Sequence, residues 1–153
     1  MVNIILFVSL LCPSITFAGD VSEEYCLAET IYFEARNQEL LGQIAVGLVA
    51  LNRVKSSRFP DTLCDVTRQA KRDSFGRIIK YKCQFSYYCD GLKEHVAEKE
   101  AWLTAKIVAE TVMEQGHKDF TDGALYYHTT SIVPYWSSAY HPTLELGDHI
   151  FYR

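Results

Sequence analysis

The first amphipathic stretch covers residues 23–36. At roughly 100° per residue, Leu27, Ala28, Ile31, Tyr32 and Ala35 share one broad arc, which predicts a helix with a single buried face. Asp20 or Ser22 can cap its start, with Glu23 and Glu24 in the first turn that the helix dipole favours, and Asn37 is a plausible stop. Glu29 and Arg36 fall on the far side and are expected to be solvated. Glu34 lies just off the edge of the arc, near Leu27 and Ile31, and is expected to be partly buried.

Residues 40–54 predict a second helix, apolar on nearly every side, and such a helix belongs at the centre of a domain. Gly42, Ala45 and Gly47 are small enough to let another helix approach closely. Asn52 and Arg53 are among its few polar residues; helix-end capping and a structural ion pair are preferred for them over substrate contact. Phe59-Pro60-Asp61 ends the pattern. Residues 62–69 and 78–87 have the β-branched and aromatic content of short strands. The polar turn Asp73-Ser74-Phe75-Gly76 between them predicts a small hairpin or three-stranded flap, closed by Asp90-Gly91.

Residues 97–115 form the clearest amphipathic helix. Ala101, Ala105, Val108, Ala109 and Val112 make its stripe, flanked by Trp102 and Leu103, and Gly116 stops it. Lys99, Lys106, Glu110 and Glu114 face water. After it come a strand through 122–128, a long loop, and a terminal strand through 146–153. The loop carries Tyr135, Trp136 and Tyr140, which suggests a binding wall. The expected fold class is α+β, mainly helical, with a small antiparallel β flap.

The chain has 153 residues, 48% of them apolar and 22% charged, which fits one globular domain. Its net charge of −4 argues against a phosphate-backbone binder, so no nucleic-acid partner is expected. The apolar run Ile4-Ile5-Leu6-Phe7-Val8-Ser9-Leu10-Leu11, followed by Thr16-Phe17-Ala18, reads as a secretory signal peptide over residues 1–18. The folded domain is then 19–153, with a periplasmic or secreted location. No Lys or Arg precedes the apolar run, which keeps an uncleaved anchor open as the alternative. Cys12 follows two leucines, where lipid attachment would want a small residue, so a lipoprotein is not expected.

Four cysteines remain after that leader: Cys26, Cys64, Cys83 and Cys89. An even number in an exported domain reads as two disulfides. Three pairings are open; Cys64–Cys83 with Cys26–Cys89 is mildly preferred because it closes the middle segment. Zinc is disfavoured, since no Cys-x-x-Cys or His-x-x-x-His spacing occurs.

Glu34 has the setting of a general acid. A carboxyl against apolar side chains keeps its proton to higher pH, which is what protonating a glycosidic oxygen requires. Periodicity alone still favours an ordinary glutamate near a helix end. A second carboxylate for hydrolysis would come from Glu39, Asp73 or Asp90, none of them placed by periodicity. A single-carboxylate route avoids that need: Glu34 protonates the leaving oxygen, then takes the proton of a sugar hydroxyl that attacks within the same sugar. No Gly-x-Ser-x-Gly elbow and no phosphate-binding glycine loop occurs, and His128 and His149 read as structural.

Several pieces, in order along the chain, resemble one family. They are Ala28-Glu29-Thr30-Ile31-Tyr32-Phe33-Glu34-Ala35-Arg36, Gly42-Gln43-Ile44-Ala45-Val46, Leu51-Asn52-Arg53-Val54 and Phe59-Pro60. To these are added Cys83-Gln84-Phe85-Ser86, Cys89-Asp90-Gly91, Ala124-Leu125-Tyr126-Tyr127-His128 and His149-Ile150-Phe151-Tyr152-Arg153. Together they resemble the cell wall hydrolases related to the spore cortex-lytic enzyme catalytic domain. The resemblance implies a lysozyme-like fold of the goose-lysozyme and lytic-transglycosylase type, and cleavage of peptidoglycan between N-acetylmuramic acid and N-acetylglucosamine. It implies Glu34 as the catalytic acid. No cofactor is expected, and the cysteine and histidine spacing argues against a metal. Gln84, Phe85 and Ser86 become groove residues, with Tyr127, His128 and Trp136 on the opposite wall. The chain departs from the family's Gly-Glu-Pro after Arg36, having Asn37-Gln38-Glu39, so a base cannot come from Gln38. No separate wall-binding domain is visible in the sequence. The implied partner is the glycan strand, with an envelope protein complex open as a second, and the enzyme is expected to be monomeric. The competing class is a non-catalytic wall-binding module; an amidase or endopeptidase would need metal ligands that the sequence does not offer.

Overall fold

The computed structural model describes residues 21–114 and 118–153. The signal-peptide reading of 1–18, Cys12, and the helix stop at Gly116 therefore lie outside the described residues. Helix α1 (Glu23–Ala35) starts at Ser22, whose side chain accepts a hydrogen bond from the Tyr25 amide. All five residues of the apolar arc are buried. Helix α2 (Leu40–Val54) follows after one short turn, and residues 42–50 are buried throughout. Arg36, as expected, is exposed; its guanidinium lies over the Tyr32 ring and pairs with Glu98 at 3.0 Å.

The expectation for residues 62–69 was wrong. They form a short helix, α3 (Leu63–Thr67), not a strand. Thr62 caps it by accepting from the Asp65 amide, and Leu63, Val66 and Thr67 are buried, so capping and a helical burial pattern override β-branched content. The hairpin is shorter than its sequence signal: β1 (Ala70–Arg72) pairs antiparallel with β2 (Ile78–Cys83). Asp73 sets the turn by accepting from the amides of Phe75 and Arg77. The chain then makes a 3-10 turn at Ser86–Cys89.

Helix α4 (Lys99–Met113) buries Ala105, Val108, Ala109 and Val112 as the stripe requires. It packs against both α1 and α2. Gly47 lets them approach closely: a Cβ there would lie 3.2 Å from Ile31 Cδ1 and 3.3 Å from Val112 Cγ2. Strand β3 (Tyr126–Thr129) occupies the predicted place. The long loop was overcounted, because its last part is a strand, β4 (Pro142–Leu146). Gly147-Asp148 turns β4 into β5 (His149–Tyr152), and the sheet order is β3-β5-β4, all antiparallel. Pro142 hid the strand from the sequence reading; it is tolerated because β4 is an edge.

Two apolar clusters meet on α2. The larger joins α1, α3, α4 and the 3-10 turn around Ile31, Leu48, Phe85 and Val108. The smaller joins Ala45, Val46 and Val49 to Ala35, Ala124 and Phe151 of the sheet side. The nearly all-apolar sequence of α2 follows from this position between two cores.

The disulfides are Cys26–Cys64 and Cys83–Cys89, and the preferred pairing of Cys64–Cys83 with Cys26–Cys89 is corrected. Packing of α1 on α3 brings the Cα atoms of Cys26 and Cys64 to 5.2 Å. The 3-10 turn folds Cys89 back to 6.2 Å from Cys83, Cα to Cα, which closes a six-residue span instead of the whole middle segment.

Candidate active site

The last turn of α1 holds Glu34 at the edge of the main core. Its Oε1 accepts from the Ser86 amide at 3.1 Å and lies 3.4 Å from the Ser86 hydroxyl. Its Oε2 accepts from the Tyr127 hydroxyl at 3.1 Å. The Ser86 donors come from the loop closed by Cys83–Cys89 and Tyr127 from β3, so two elements converge on a carboxyl carried by a third, α1. Burial raises the Glu34 pKa above the ordinary carboxylate value; Tyr127 first, then Ser86, oppose that by stabilising the anion. The Tyr127 phenol is pushed well above its usual range, by burial and then by the adjacent carboxylate, so it stays a donor.

Glu34 stands where two depressions meet. One, of about 410 Å³, has Arg53, Gln84, Ser86, Tyr127, His128 and Trp136 in its walls. The other, of about 310 Å³, has Asn37, Gln38, Thr129, Asp148 and His149. A third depression, of about 580 Å³, continues the first past Cys83, Gln84 and Trp136 to the hairpin. These form a groove with the carboxyl part-way along it, the arrangement a polymer-cleaving site needs.

Of the residues singled out in the sequence, Gln84, Ser86, Tyr127, His128 and Trp136 line the groove with Glu34. Phe85 does not. It is 1% exposed, in the main core, with the Arg53 guanidinium 4.8 Å from its ring centre. The alternation of the strand-like run puts it beneath the groove, so it supports the wall without touching a ligand. His128 is buried; its Nδ1 donates to the Thr129 carbonyl at 2.9 Å, and its Nε2 lies 2.8 Å from the Tyr152 hydroxyl. Trp136 packs edge-on to His128 and Tyr152 and so pins the long loop to the sheet.

None of the three candidate second carboxylates reaches Glu34's groove. Glu39 is at the start of α2, Asp73 in the hairpin turn with Arg77, and Asp90 on the Leu92 amide. Glu29, expected to be solvated, is instead half-buried and 3.6 Å from Arg68. The groove residues not anticipated were Gln38 and Asp148; His149, read as structural, lies beside them. Gln38 Nε2 donates to Asp148 Oδ2, and the Asp148 amide donates back to Gln38 Oε1, each at 3.1 Å. This clamp joins the turn between α1 and α2 to the β4–β5 turn. It was illegible because β4 itself was read as loop. Burial lowers the His149 pKa, and its Nδ1 has no partner among the described residues.

Asn52 and Arg53 are structural in the main, as preferred, but not through an ion pair. Asn52 Nδ2 donates to Asp119 Oδ2 at 2.9 Å and the Ala124 carbonyl at 3.2 Å. Arg53 is 4% exposed; its Nε donates to the Leu125 carbonyl at 2.8 Å, and rings of Phe59, Phe85 and Tyr126 surround its guanidinium. It nevertheless forms part of the groove floor beside Glu34. Among the described residues no group of His, Cys, Asp or Glu is arranged to hold a metal ion, and no helix is long and apolar enough to cross a membrane.

Comparison with known proteins gives the family and the fold. The cell wall hydrolase family matches residues 37–152. Spore cortex-lytic enzyme from Bacillus cereus is 28% identical over 128 residues, covering 82% of this chain. The chain spans 42% of the length of that relative. Among solved structures, the catalytic domain of the Bacillus cereus SleB protein superposes with a TM-score of 0.63 at 27% identity, over 86% of this chain and 89% of that one. The catalytic domain of the germination-specific lytic transglycosylase SleB from Bacillus anthracis gives 0.65 at 28% identity, over 89% and 98%. The fold is accordingly lysozyme-like, as the sequence resemblance implied.

Proposed function

Because the chain belongs to the cell wall hydrolase family, we propose that it cleaves peptidoglycan glycan strands between N-acetylmuramic acid and N-acetylglucosamine, with Glu34 as the catalytic acid. The observation that carries this reading is the Glu34 carboxyl, its pKa raised by burial, at the junction of a groove and held by Tyr127 and Ser86.

Glu34 in its acid form gives its proton to the glycosidic oxygen as the bond from the muramic C1 breaks. The leaving sugar departs with a free hydroxyl, and positive charge develops at C1. The muramic sugar's own primary hydroxyl then attacks C1 and surrenders its proton to the Glu34 carboxylate. The acid is regenerated and the product ends in an anhydro sugar. Ser86 and Tyr127 stabilise the carboxylate between the two steps and fix its orientation. Glu39, Asp73 and Asp90 do not line the groove, and Asp148, the other carboxylate in its walls, is held by Gln38 Nε2; this favours the lytic transglycosylase route over a two-carboxylate muramidase. Export through residues 1–18 fits two disulfides and an extracytoplasmic substrate. The protein then works in the periplasm or outside the cell, as a monomer.

The test is to incubate purified protein with sacculi and identify products by mass spectrometry. Wild type should release muropeptides with anhydro ends, and Glu34→Gln should cut release by about 10²-fold or more. No release by wild type, or equal release by the variant, overturns the reading. Reducing ends in place of anhydro ends would assign hydrolysis. Sacculus binding without turnover would instead favour a wall-binding module.

A further inference from the structure

The outer arm of the groove has no part in the acid chemistry. It lies between the β1–β2 hairpin and the tip of the long loop, lined by Lys71, Tyr81, Lys82, Gln84, Tyr135 and Trp136. Its charge is opposite to that of the whole chain. The chain is net negative, yet residues 70–83 carry Lys71, Arg72, Arg77, Lys80 and Lys82 against Asp73 alone. Asp73 is already taken by Arg77. Neither Lys71 nor Lys82 has a carboxylate within salt-bridge distance among the described residues.

The aromatic side chains there are displayed, not packed. Tyr135 is 95% exposed and Tyr81 69% exposed. Tyr81 also holds a φ of 60°, a left-handed conformation that a bulky residue adopts rarely, and this turns the backbone sharply within β2. Two unpaired ammonium groups and two exposed phenol rings thus face one cavity, continuous through Gln84 and Trp136 with the depression that holds Glu34. A neutral sugar chain would need the rings but not the cations. A ligand with carboxylates beside a sugar chain would use both.

We propose that this arm is a subsite for the carboxylates of the peptide stems that hang from the glycan strand, with Lys71 and Lys82 as the recognising cations. This rests on the reading of the Glu34 groove as a peptidoglycan-cleaving site. The lysines act as exposed point charges, so their contribution is modest and salt-sensitive. The arm biases the enzyme toward stem-bearing strands over strands already stripped of peptide.

The test measures binding, using Glu34→Gln protein so that turnover does not enter. Three polymers serve as probes: intact sacculi, sacculi whose carboxylates have been converted to neutral amides, and strands stripped of stems by an amidase, which keep only the strand's own carboxylates. At low salt, binding to intact sacculi should exceed binding to both other polymers by roughly fivefold, and raising the salt should erase the difference. Adding Lys71→Gln and Lys82→Gln should remove the preference; Lys71→Arg with Lys82→Arg should keep it. Equal binding to all three polymers overturns the proposal, as does a preference that survives the double Gln change. If stripped strands bind as well as intact sacculi while amidated ones do not, the cations read the strand and the stem assignment falls. Binding is scored apart from release of products, so failure of the cleavage reading would appear in the sacculus digestion and not here.

Discussion

Three donors set the behaviour of Glu34. Burial favours its protonated form and raises its pKa, and Tyr127 and Ser86 pull the other way. Removing the Tyr127 hydroxyl takes away stabilisation of the anion, so Tyr127→Phe should raise the Glu34 pKa further. A general acid works only while protonated, so the alkaline limb of the pH profile of kcat/KM should move upward in Tyr127→Phe while the maximal rate falls. Stability should show the same group with the opposite sense. A carboxyl whose folded pKa exceeds its unfolded value binds more protons when folded, so the stability it contributes is present below the unfolded pKa and lost as pH rises through the folded one. Glu34→Gln should therefore unfold at a higher temperature than wild type near neutrality, with the gap closing in acid, by calorimetry. The sequence showed this residue as polar at an apolar margin, because helical periodicity fixes direction within one element. It could not show Tyr127 or Ser86 touching it, since those contacts cross 93 and 52 residues of chain. Phe85 was misplaced for a related reason: motif position says which segment is near the site, but not which face of it.

Among the elements, the loop from Cys83 to Cys89 is the one on which the site depends. Its closure holds the Ser86 amide against Glu34. The double change Cys83→Ser, Cys89→Ser should lower stability by about 2 kcal/mol on the loop-entropy argument. Turnover should fall by more than that loss of folded protein explains, which denaturant titration and sacculus digestion together would reveal. The β4–β5 turn is a second dependency. Gly147 has a φ of 57°, and a Cβ there would meet Gln38 Oε1 at 2.5 Å. Gly147→Ala should cost about 1–3 kcal/mol and break the clamp to Asp148. α2 was legible to the residue because its apolar surface is continuous; α3 was not, because five residues carry too little periodicity to outvote β-branched composition. β4 was lost to Pro142 for the same lack of length.

Across the whole molecule, α2 serves two cores, and Cys26–Cys64 ties the start of α1 to α3 across 38 residues. Replacing that pair with serine should cost about 4 kcal/mol, readable as a shifted denaturation midpoint with little change in substrate preference. The fold class could be read from the sequence because the helices supply their own patterns. The groove could not, because it is the space left between a helical body, a hairpin and a sheet. The Cys83–Cys89 bond closes the loop that carries the Ser86 donors to Glu34, the proposed acid. A wall-cutting enzyme is a hazard to the cell that makes it, and on the proposed function this closure would couple activity to oxidation of two thiols. Newly made chains in a thiol-rich compartment would be whole in sequence but dormant. Activity of the reduced protein should accordingly be low and should return on air oxidation, at the rate at which the Cys83 and Cys89 thiols disappear.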